Sequence, residues 1–369
     1  MLTRPLMGLL LLSLSPVQSG CSTQANLRGG DAALTDADLA LGAARENLRS
    51  SGGFNETVRI VGQLDGGGSI YGRLIITNLA TANQLARLTM SVAPEGKPPA
   101  KVTLRRKKGR WKARGDQMAF EMPPRNASSS SIVGRIGEVV WTGERQGAHI
   151  ELRVGTTMAP VELPGGTADF GAGKFFKTTL VVPHGRLSTK VTIAGEQGQE
   201  PTSYTVEGWA FVEKRTSNLA PYAMAKRFVD VREINAEGLF ALSGFQRSPQ
   251  YGGKTQGWLF SARPGQASVA IKRLGLRTQS AERHDPSGYN VPRLVHFWDM
   301  DNPSIKGVVK ANRSSRVSDD LGSLSKLERA IAERFARPWT FRFDAQWALR
   351  TADGRKLSGG GYYSYNQLN

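Results

Sequence analysis

Four side chains with chemistry to offer alternate along one short run: Trp209, Phe211, Glu213 and Arg215, interleaved with Ala210, Val212 and Lys214. Successive strand residues point to opposite faces, so these four share one face. A carboxylate and a guanidinium beside two large aromatics are unusual on a soluble core face. Either the face meets water, or the charges meet one another or a ligand in a mostly apolar cavity. Two chemistries fit the cavity. In one, Trp209, Phe211, Phe240, Trp258 and Phe260 form an apolar wall, while Glu213, Arg215, Tyr222 and Arg227 hold a polar head. An isolated buried charge is costly unless paired, so such heads are held by several groups. In the other, Glu213 is a general acid/base, with Arg215 beside it. Simple core packing of the aromatics and a structural ion pair explain the same pattern without a ligand.

Other chemistries lack their residues. The histidines, His149, His184, His284 and His296, are scattered, and none has a second ligand two or four positions on, so no metal site is expected. His284-Asp285 falls in an expected loop, where a solvated pair is sufficient explanation. There is no Gly-x-Ser-x-Gly elbow and no phosphate-binding Walker loop. Asp65-Gly66-Gly67-Gly68 is Gly-rich, but it joins two strands with no helix after it. No cofactor is expected.

The elements that must position these residues are strands. The chain has 369 residues with 42 Gly and 18 Pro spread along it, the punctuation of an all-β protein. Thr57–Leu64 and Ser69–Asn78 form a hairpin; Gln84–Val92, Ala100–Arg114, Ile132–Trp141 and His149–Val154 continue the pattern. Lys174–Pro183 and Leu187–Ile193 flank an expected turn at His184-Gly185-Arg186. Residues 196–201 read as a domain junction, so that 208–233 becomes the first strand, loop and strand of a second domain. Two helices are expected. One spans Thr35 to about Arg49, with Leu39, Leu41 and Leu48, and stops at Gly52-Gly53. The other carries Leu324, Leu327, Ile331 and Phe335 at helical spacing and ends at Pro338. Phe341, Phe343, Ala345, Trp347 and Leu349 share a face of a late strand, and residues 361–365 close the chain.

The formal net charge of +18 favours anionic partners. Arg105, Arg106, Lys107 and Lys108 stand at what reads as a basic hairpin tip, a contact for anionic headgroups or a charged β edge that discourages aggregation. The aromatics do not repeat on a basic platform, so nucleic acid is not an expected partner. At the N-terminus, Arg4 and the apolar run Leu6–Leu14 form a signal segment too short to span a bilayer. Ser19-Gly20-Cys21 then matches a bacterial lipidation site, with Gln18 where an aliphatic residue is usual. Cys21, the one cysteine of the chain, is the expected anchor; ordinary cleavage after Val17-Gln18-Ser19, leaving Cys21 a free thiol near the new N-terminus, is the alternative. Either route exports the protein, and with one cysteine no intrachain disulfide forms.

Residues 65–78 (DGGGSIYGRLIITN), 175–191 with their Pro183-His184-Gly185-Arg186 segment, 208–228, Ser248-Pro249-Gln250-Tyr251-Gly252, and Arg337-Pro338-Trp339 before a last hairpin recur in an order that resembles the survival factor family of double-lipocalin proteins. That family is related in fold to carotenoid hydratases and hydroxyneurosporene synthases. The resemblance covers Phe54 to the C-terminus. It implies two lipocalin-like antiparallel β-barrels in tandem, and a role in ceramide or sphingolipid transport and in survival of oxidative stress. A histidine common in the family on the strand of Glu213 is absent here.

The expectation is therefore a signal peptide over 1–20, a tether and short helix over 21–53, and barrels over 54–200 and 201–369. The protein is expected to be a periplasmic, outer-membrane-anchored lipoprotein that binds or carries a hydrophobic lipid. A hydratase-like enzyme and a structural lipoprotein binding anionic glycolipid are the alternatives.

Overall fold

Period-two alternation of apolar residues dictates the architecture. The computed structural model describes residues 34–78, 84–195, 199–263, 266, 268–319, 326, 329–330, 333 and 336–368. Cys21 with its signal and tether lies outside these residues, and so does most of the expected helix over 324–335.

The first sheet holds twelve strands: β1 Asn55–Leu64, β2 Gly68–Thr77, β3 Leu85–Pro94, β4 Ala100–Arg106, β5 Lys112–Arg114, β6 Met118–Met122, β7 Ser128–Arg135, β8 Glu138–Arg145, β9 Ala148–Thr156, β10 Val161–Asp169, β11 Phe175–Ile193 and β12 Thr202–Ser217. Their order is β4-β3-β2-β1-β12-β11-β9-β8-β7-β6-β5, with β10 paired to β11 off this path. The second sheet holds nine: β13 Ala225–Asn235, β14 Gly238–Arg247, β15 Thr255–Ala262, β16 Val269–Ile271, β17 Leu274–His284, β18 Tyr289–Asp299, β19 Lys306–Asp319, β20 Trp339–Arg350 and β21 Lys356–Gln367. Their order is β16-β15-β14-β13-β21-β20-β19-β18-β17, and every recorded pairing in both sheets is antiparallel. Each sheet curls round its own apolar core, giving the tandem lipocalin-like all-β fold.

In β1 the alternation is nearly unbroken. Glu56, Val58, Ile60 and Leu64 are buried on the inner face, while Arg59 and Val61 look outward. Across the barrel, Trp141 is fully buried over Gly72, where an added Cβ would come within 3.1 Å of its ring. That glycine makes room for the largest residue of the first core.

Several elements differ from their sequence reading. The sheets change between Ser217 and Ala225, not near residue 200: β12 pairs with β1 and β11, and so completes the first sheet. The polar break at 196–201 is the connection between β11 and β12, two long strands that pair from Ile193↔Thr202 onward. Residues 208–233 therefore run from the last strand of one sheet to the first strand of the other, through α3, Pro221–Met224. His184-Gly185-Arg186 is not a turn. It lies inside the continuous β11, where the register with β12 shifts between Val182 and Gly185. A bulge there bends the strand without ending it. Arg105–Lys108 are not a hairpin tip, because β4 and β5 are the two edges of the first sheet. Trp111 draws the link between them inward; it is buried, packs on Phe120 at 5.7 Å and donates its indole N–H to the Gln84 carbonyl at 2.8 Å. The first expected helix breaks into α1, Asp36–Leu39, a single 3₁₀ turn over Gly42–Ala44, and α2, Glu46–Arg49.

Candidate functional site

Buried charge gathers in three places, and each is built differently. The first lies between the barrels. The outer faces of β11 and β12 pack on β13, β14 and β15: Leu180 and Phe211 meet Ile234, Leu239, Ala241, Trp258 and Phe260 in one apolar cluster. Beside it, Glu213 Oε1 is ion-paired with Arg59 Nη2 (2.6 Å) and Arg215 Nε (2.8 Å), and Oε2 accepts a hydrogen bond from Arg232 Nη2 (2.9 Å). Asp230 Oδ1 takes Arg215 Nη2 at 2.6 Å and the Ser243 hydroxyl at 2.6 Å. The Arg232 guanidinium lies over the rings of Trp258 and Phe211, at 5.1 and 5.7 Å. Three strands from two sheets thus bring three guanidiniums to two carboxylates. Burial alone would push the Glu213 carboxyl up; Arg215, Arg59 and Arg232 overcome it and hold it down to about 2. Asp230, despite the same burial, is held well below the usual carboxylate range by Arg215, Arg232 and Arg59. At neutral pH neither group carries a proton to donate.

The second place is inside the first barrel. Glu56 is fully buried and accepts from the Gly42 and Ala43 N–H groups (2.8 and 2.9 Å) and from the Thr216 hydroxyl (2.9 Å). Lys214 donates to the carbonyls of Asp38, Leu39 and Ala40 at 3.1, 2.9 and 2.7 Å. Burial pulls the Lys214 ammonium down to about 8, against the opposing pull of Glu56. Burial likewise raises Glu56 above its ordinary value, against Lys214. This pair holds residues 38–43 across the barrel, with Leu39, Leu41 and Ala43 packed into the core. The broken helix has its reason here, since the backbone groups that would close helical turns are used by Glu56 and Lys214.

The third place is inside the second barrel. Tyr363 and Tyr365 point inward from β21, with Phe341 and Phe343 of β20 beside them. Arg293 enters from β18, its guanidinium 4.3 Å above the Phe343 ring, and donates twice to Glu282 at 2.8 and 2.6 Å. Arg227 hydrogen-bonds the Tyr365 hydroxyl, which donates to Gln367 Oε1 at 2.7 Å. Burial pushes the Tyr363 phenol well above its ordinary value. Among the described residues, the Tyr363 hydroxyl and Arg293 Nη1 are buried with no hydrogen-bond partner. His284 ends β17 and is not in a solvated loop. Its ring stands 5.0 Å from Phe341 and 5.2 Å from Trp339, and its Nδ1 meets the Ser287 hydroxyl at 2.8 Å. At the far end of the barrel, Glu233 accepts from the Trp347 indole at 2.5 Å and from Asn235 at 3.0 Å, and burial raises its pKa.

Of the residues singled out from sequence, Trp209, Phe211, Glu213, Arg215, Trp258 and Phe260 come together between the barrels. Trp209 also stacks on His184 at 4.6 Å. Phe240 and Arg227 lie inside the second barrel, Phe240 stacked on Trp347 at 3.8 Å. Tyr222 sits in α3, the short helix between the two sheets. Arg105–Lys108 lie at the edge of the first sheet. The sequence reading missed Asp230 and Arg232 as partners of Glu213, and Arg293, Tyr363 and Tyr365 altogether. Tyr363 and Tyr365 did carry a signal, since their spacing of two puts them on one strand face. Among the described residues, no group of three or more His, Cys, Asp or Glu is placed to hold a metal ion, and no helix is long and apolar enough to cross a membrane.

No protein-family model and no curated relative matches the sequence. Solved structures do match the fold. CghA in complex with Sch210972 superimposes with a TM-score of 0.56 at 10% identity, over 86% of this chain and 89% of that one. Kievitone hydratase from Nectria haematococca gives 0.53 at 8%, over 91% and 96%. An AttH-like protein from Nitrosomonas europaea gives 0.53 at 10%, over 84% and 92%. At such identities the likeness is one of fold: this chain has the double lipocalin-like architecture of those proteins along nearly its whole length.

Proposed function

We propose that the protein is a lipocalin-type carrier that takes a largely apolar small molecule into its second barrel. The observation that carries this reading is the Tyr363 hydroxyl, buried on an aromatic wall with no partner, beside Arg293 with a free Nη1. A buried polar group left unpaired costs about 1–3 kcal/mol, and sites that keep one use it. The charges between the barrels, by contrast, are paired as ions, Glu213 with Arg59, Arg215 and Arg232, and Asp230 with Arg215 and Arg232. CghA, of the same fold, holds Sch210972, which supports an organic ligand here. A ceramide or similar lipid fits the chemistry: hydrocarbon against Phe341, Phe343 and Val229, with hydroxyl or amide oxygen at Tyr363 and Arg293. In this reading the chain belongs with the survival factor group, is exported, and is tethered through Cys21 to the inner leaflet of the outer membrane.

The test is to purify the mature protein, identify co-purifying lipids by mass spectrometry, and titrate ceramide while following thermal stability. Bound lipid and a rise in Tm support the carrier. No apolar compound and an unchanged Tm refute it. The mass of the mature N-terminus decides the anchor, an acylated Cys21 supporting it.

The hydratase among the structural neighbours gives a second reading, and one observation favours a specific form of it. Glu213 is held ionised and has no proton to give, whereas Glu233 is a half-buried carboxyl raised by its surroundings, beside Trp347. An enzyme built on this chain uses Glu233 as its acid. Turnover of a bound lipid that disappears in Glu233→Gln would establish it.

A further inference from the structure

The first barrel closes where its edge strand β4 lies against β7 and β8, and this seam is made by arginines. Arg106, at the end of β4, donates through Nη2 to the Ser128 carbonyl at 3.2 Å and to its hydroxyl at 2.9 Å. Arg145, at the end of β8, is the cross-strand partner of Ser128 and donates to the Thr103 carbonyl of β4. Arg125 begins the tight turn that Ser128 ends; the two exchange backbone hydrogen bonds at 3.0 and 3.1 Å, and the Ser128 hydroxyl donates to the Arg125 carbonyl at 2.6 Å. Ser128 is thus where the Arg106 side chain, the Arg125 backbone and the strand carrying Arg145 meet.

No carboxylate answers them. Among the described residues, neither Arg106, Arg125 nor Arg145 forms an ion pair, and Arg105, Lys107 and Lys108 next along the chain form none either. Burial and the neighbouring charges of Arg125 and Arg145 pull the Arg106 guanidinium below its ordinary value, which registers this crowding. The turn presenting Arg125 also holds Asn126 and Ala127 at φ of 50° and 49°, left-handed at two successive residues of which one is alanine. An alanine in that region costs about 1–2 kcal/mol. Like charges gathered on a strained turn are what an anion would reward.

We propose that Arg106, Arg125 and Arg145 form a binding site for a phosphate monoester, presented at a membrane surface as a lipid headgroup or free in solution. The doubly charged monoester offers three acceptor oxygens, one for each guanidinium. Arg105, Lys107 and Lys108 add a general attraction to the anionic surface. This site is independent of the second barrel.

Two measurements test it on the full mature chain. In co-flotation with phosphatidylcholine vesicles, those carrying phosphatidic acid, a monoester, should bind about tenfold more tightly than those carrying phosphatidylglycerol, a diester, at matched charge. Arg125 is exposed and among the described residues its side chain makes no hydrogen bond, so Arg125→Lys leaves the fold intact and keeps the charge. It should nevertheless remove most of the preference, since a lysine cannot make the forked contact. Competition by inorganic phosphate at constant ionic strength assigns the site to phosphate itself. Preference for phosphatidic acid without that competition assigns it to the lipid headgroup. Equal binding to the two vesicles, unchanged in Arg125→Lys, overturns the site and leaves only diffuse charge.

Discussion

The two barrels share a topology and differ in what fills them. The first is packed with hydrocarbon, and its charged pair, Glu56 and Lys214, is spent on backbone groups of the segment that crosses it. The second carries Arg227, Arg293, Tyr363 and Tyr365 inward among aromatics, and leaves a hydroxyl and a guanidinium nitrogen unanswered. Among the described residues, the first barrel also keeps the Trp141 indole N–H without a partner, but enclosed in hydrocarbon, whereas in the second the two unanswered groups lie on one aromatic wall. Between them, three arginines and two carboxylates bind one barrel to the other. One repeated architecture therefore uses buried charge to close a barrel and to dock the two together, and, in the proposed reading, to recognise a ligand.

The sharpest way to break the comparison is to separate the barrels. Asp230→Ala leaves Arg215 and Arg232 with one carboxylate fewer in a buried site. Removing one member of such a network costs about 3–5 kcal/mol. Urea denaturation should show that loss. If the interface is what joins the barrels, the single transition should split in two, with the first barrel, whose interior is untouched, unfolding at the higher urea concentration. A loss below 1 kcal/mol would mean that the apolar cluster around Phe211 and Trp258 holds the barrels together without the charges.

Acid should reach the same interface next. The Glu213 carboxyl sits at about 2 in the folded protein against an ordinary 4.5. Its contribution is present above 4.5 and is lost as pH falls from there toward 2, because the unfolded state takes up the proton first. The shift corresponds to about 3 kcal/mol. Stability measured by denaturant at successive pH values should therefore fall below pH 4.5, and Glu213→Gln should flatten that fall.

In the first barrel, Glu56→Gln keeps the size of the side chain but replaces one acceptor oxygen by a donor facing the Gly42 and Ala43 N–H groups. A loss of about 1–3 kcal/mol is expected. Limited proteolysis should then cut within residues 36–50 before the strands open. Unchanged protease resistance there would show that Leu39 and Leu41 anchor the crossing segment on their own.

How much of this was legible follows from the range of each signal. Strand faces were readable, because period two is local: Val58 and Ile60, or Phe341 and Phe343, declare their side without knowing their partners. The charged face of Glu213 and Arg215 was readable as a problem needing paired charges. Its solution was not, since Asp230 and Arg232 lie on a strand of the other sheet, and no ladder register links β12 to β13. For the same reason Arg227 was grouped with Glu213, though it points into the second barrel. Glu56 and Lys214 were invisible as a pair because what they bind is backbone, which has no sequence signature. The compositional break at 196–201 falls between two strands of one sheet rather than where the sheets change, because a polar connection within a sheet and a polar linker have the same composition.

The mildest substitution bears most directly on the difference between the barrels. Tyr363→Phe removes one oxygen and leaves the ring against Phe343, 5.6 Å between centroids. Among the described residues the hydroxyl has no hydrogen-bond partner, so no hydrogen bond described in the fold is lost. Stability without ligand should stay within about 1 kcal/mol of wild type or rise, because a desolvated and unpaired group is gone. Ligand retention should move the other way, by about tenfold, the value of one hydrogen bond to a buried site. The two readouts together separate recognition from architecture. If stability falls and lipid retention is unchanged, the hydroxyl belongs to the packing of the second barrel, and the two interiors differ in composition but not in purpose. If stability holds and retention falls, the unpaired oxygen is kept for the ligand, and the second barrel is the one that binds.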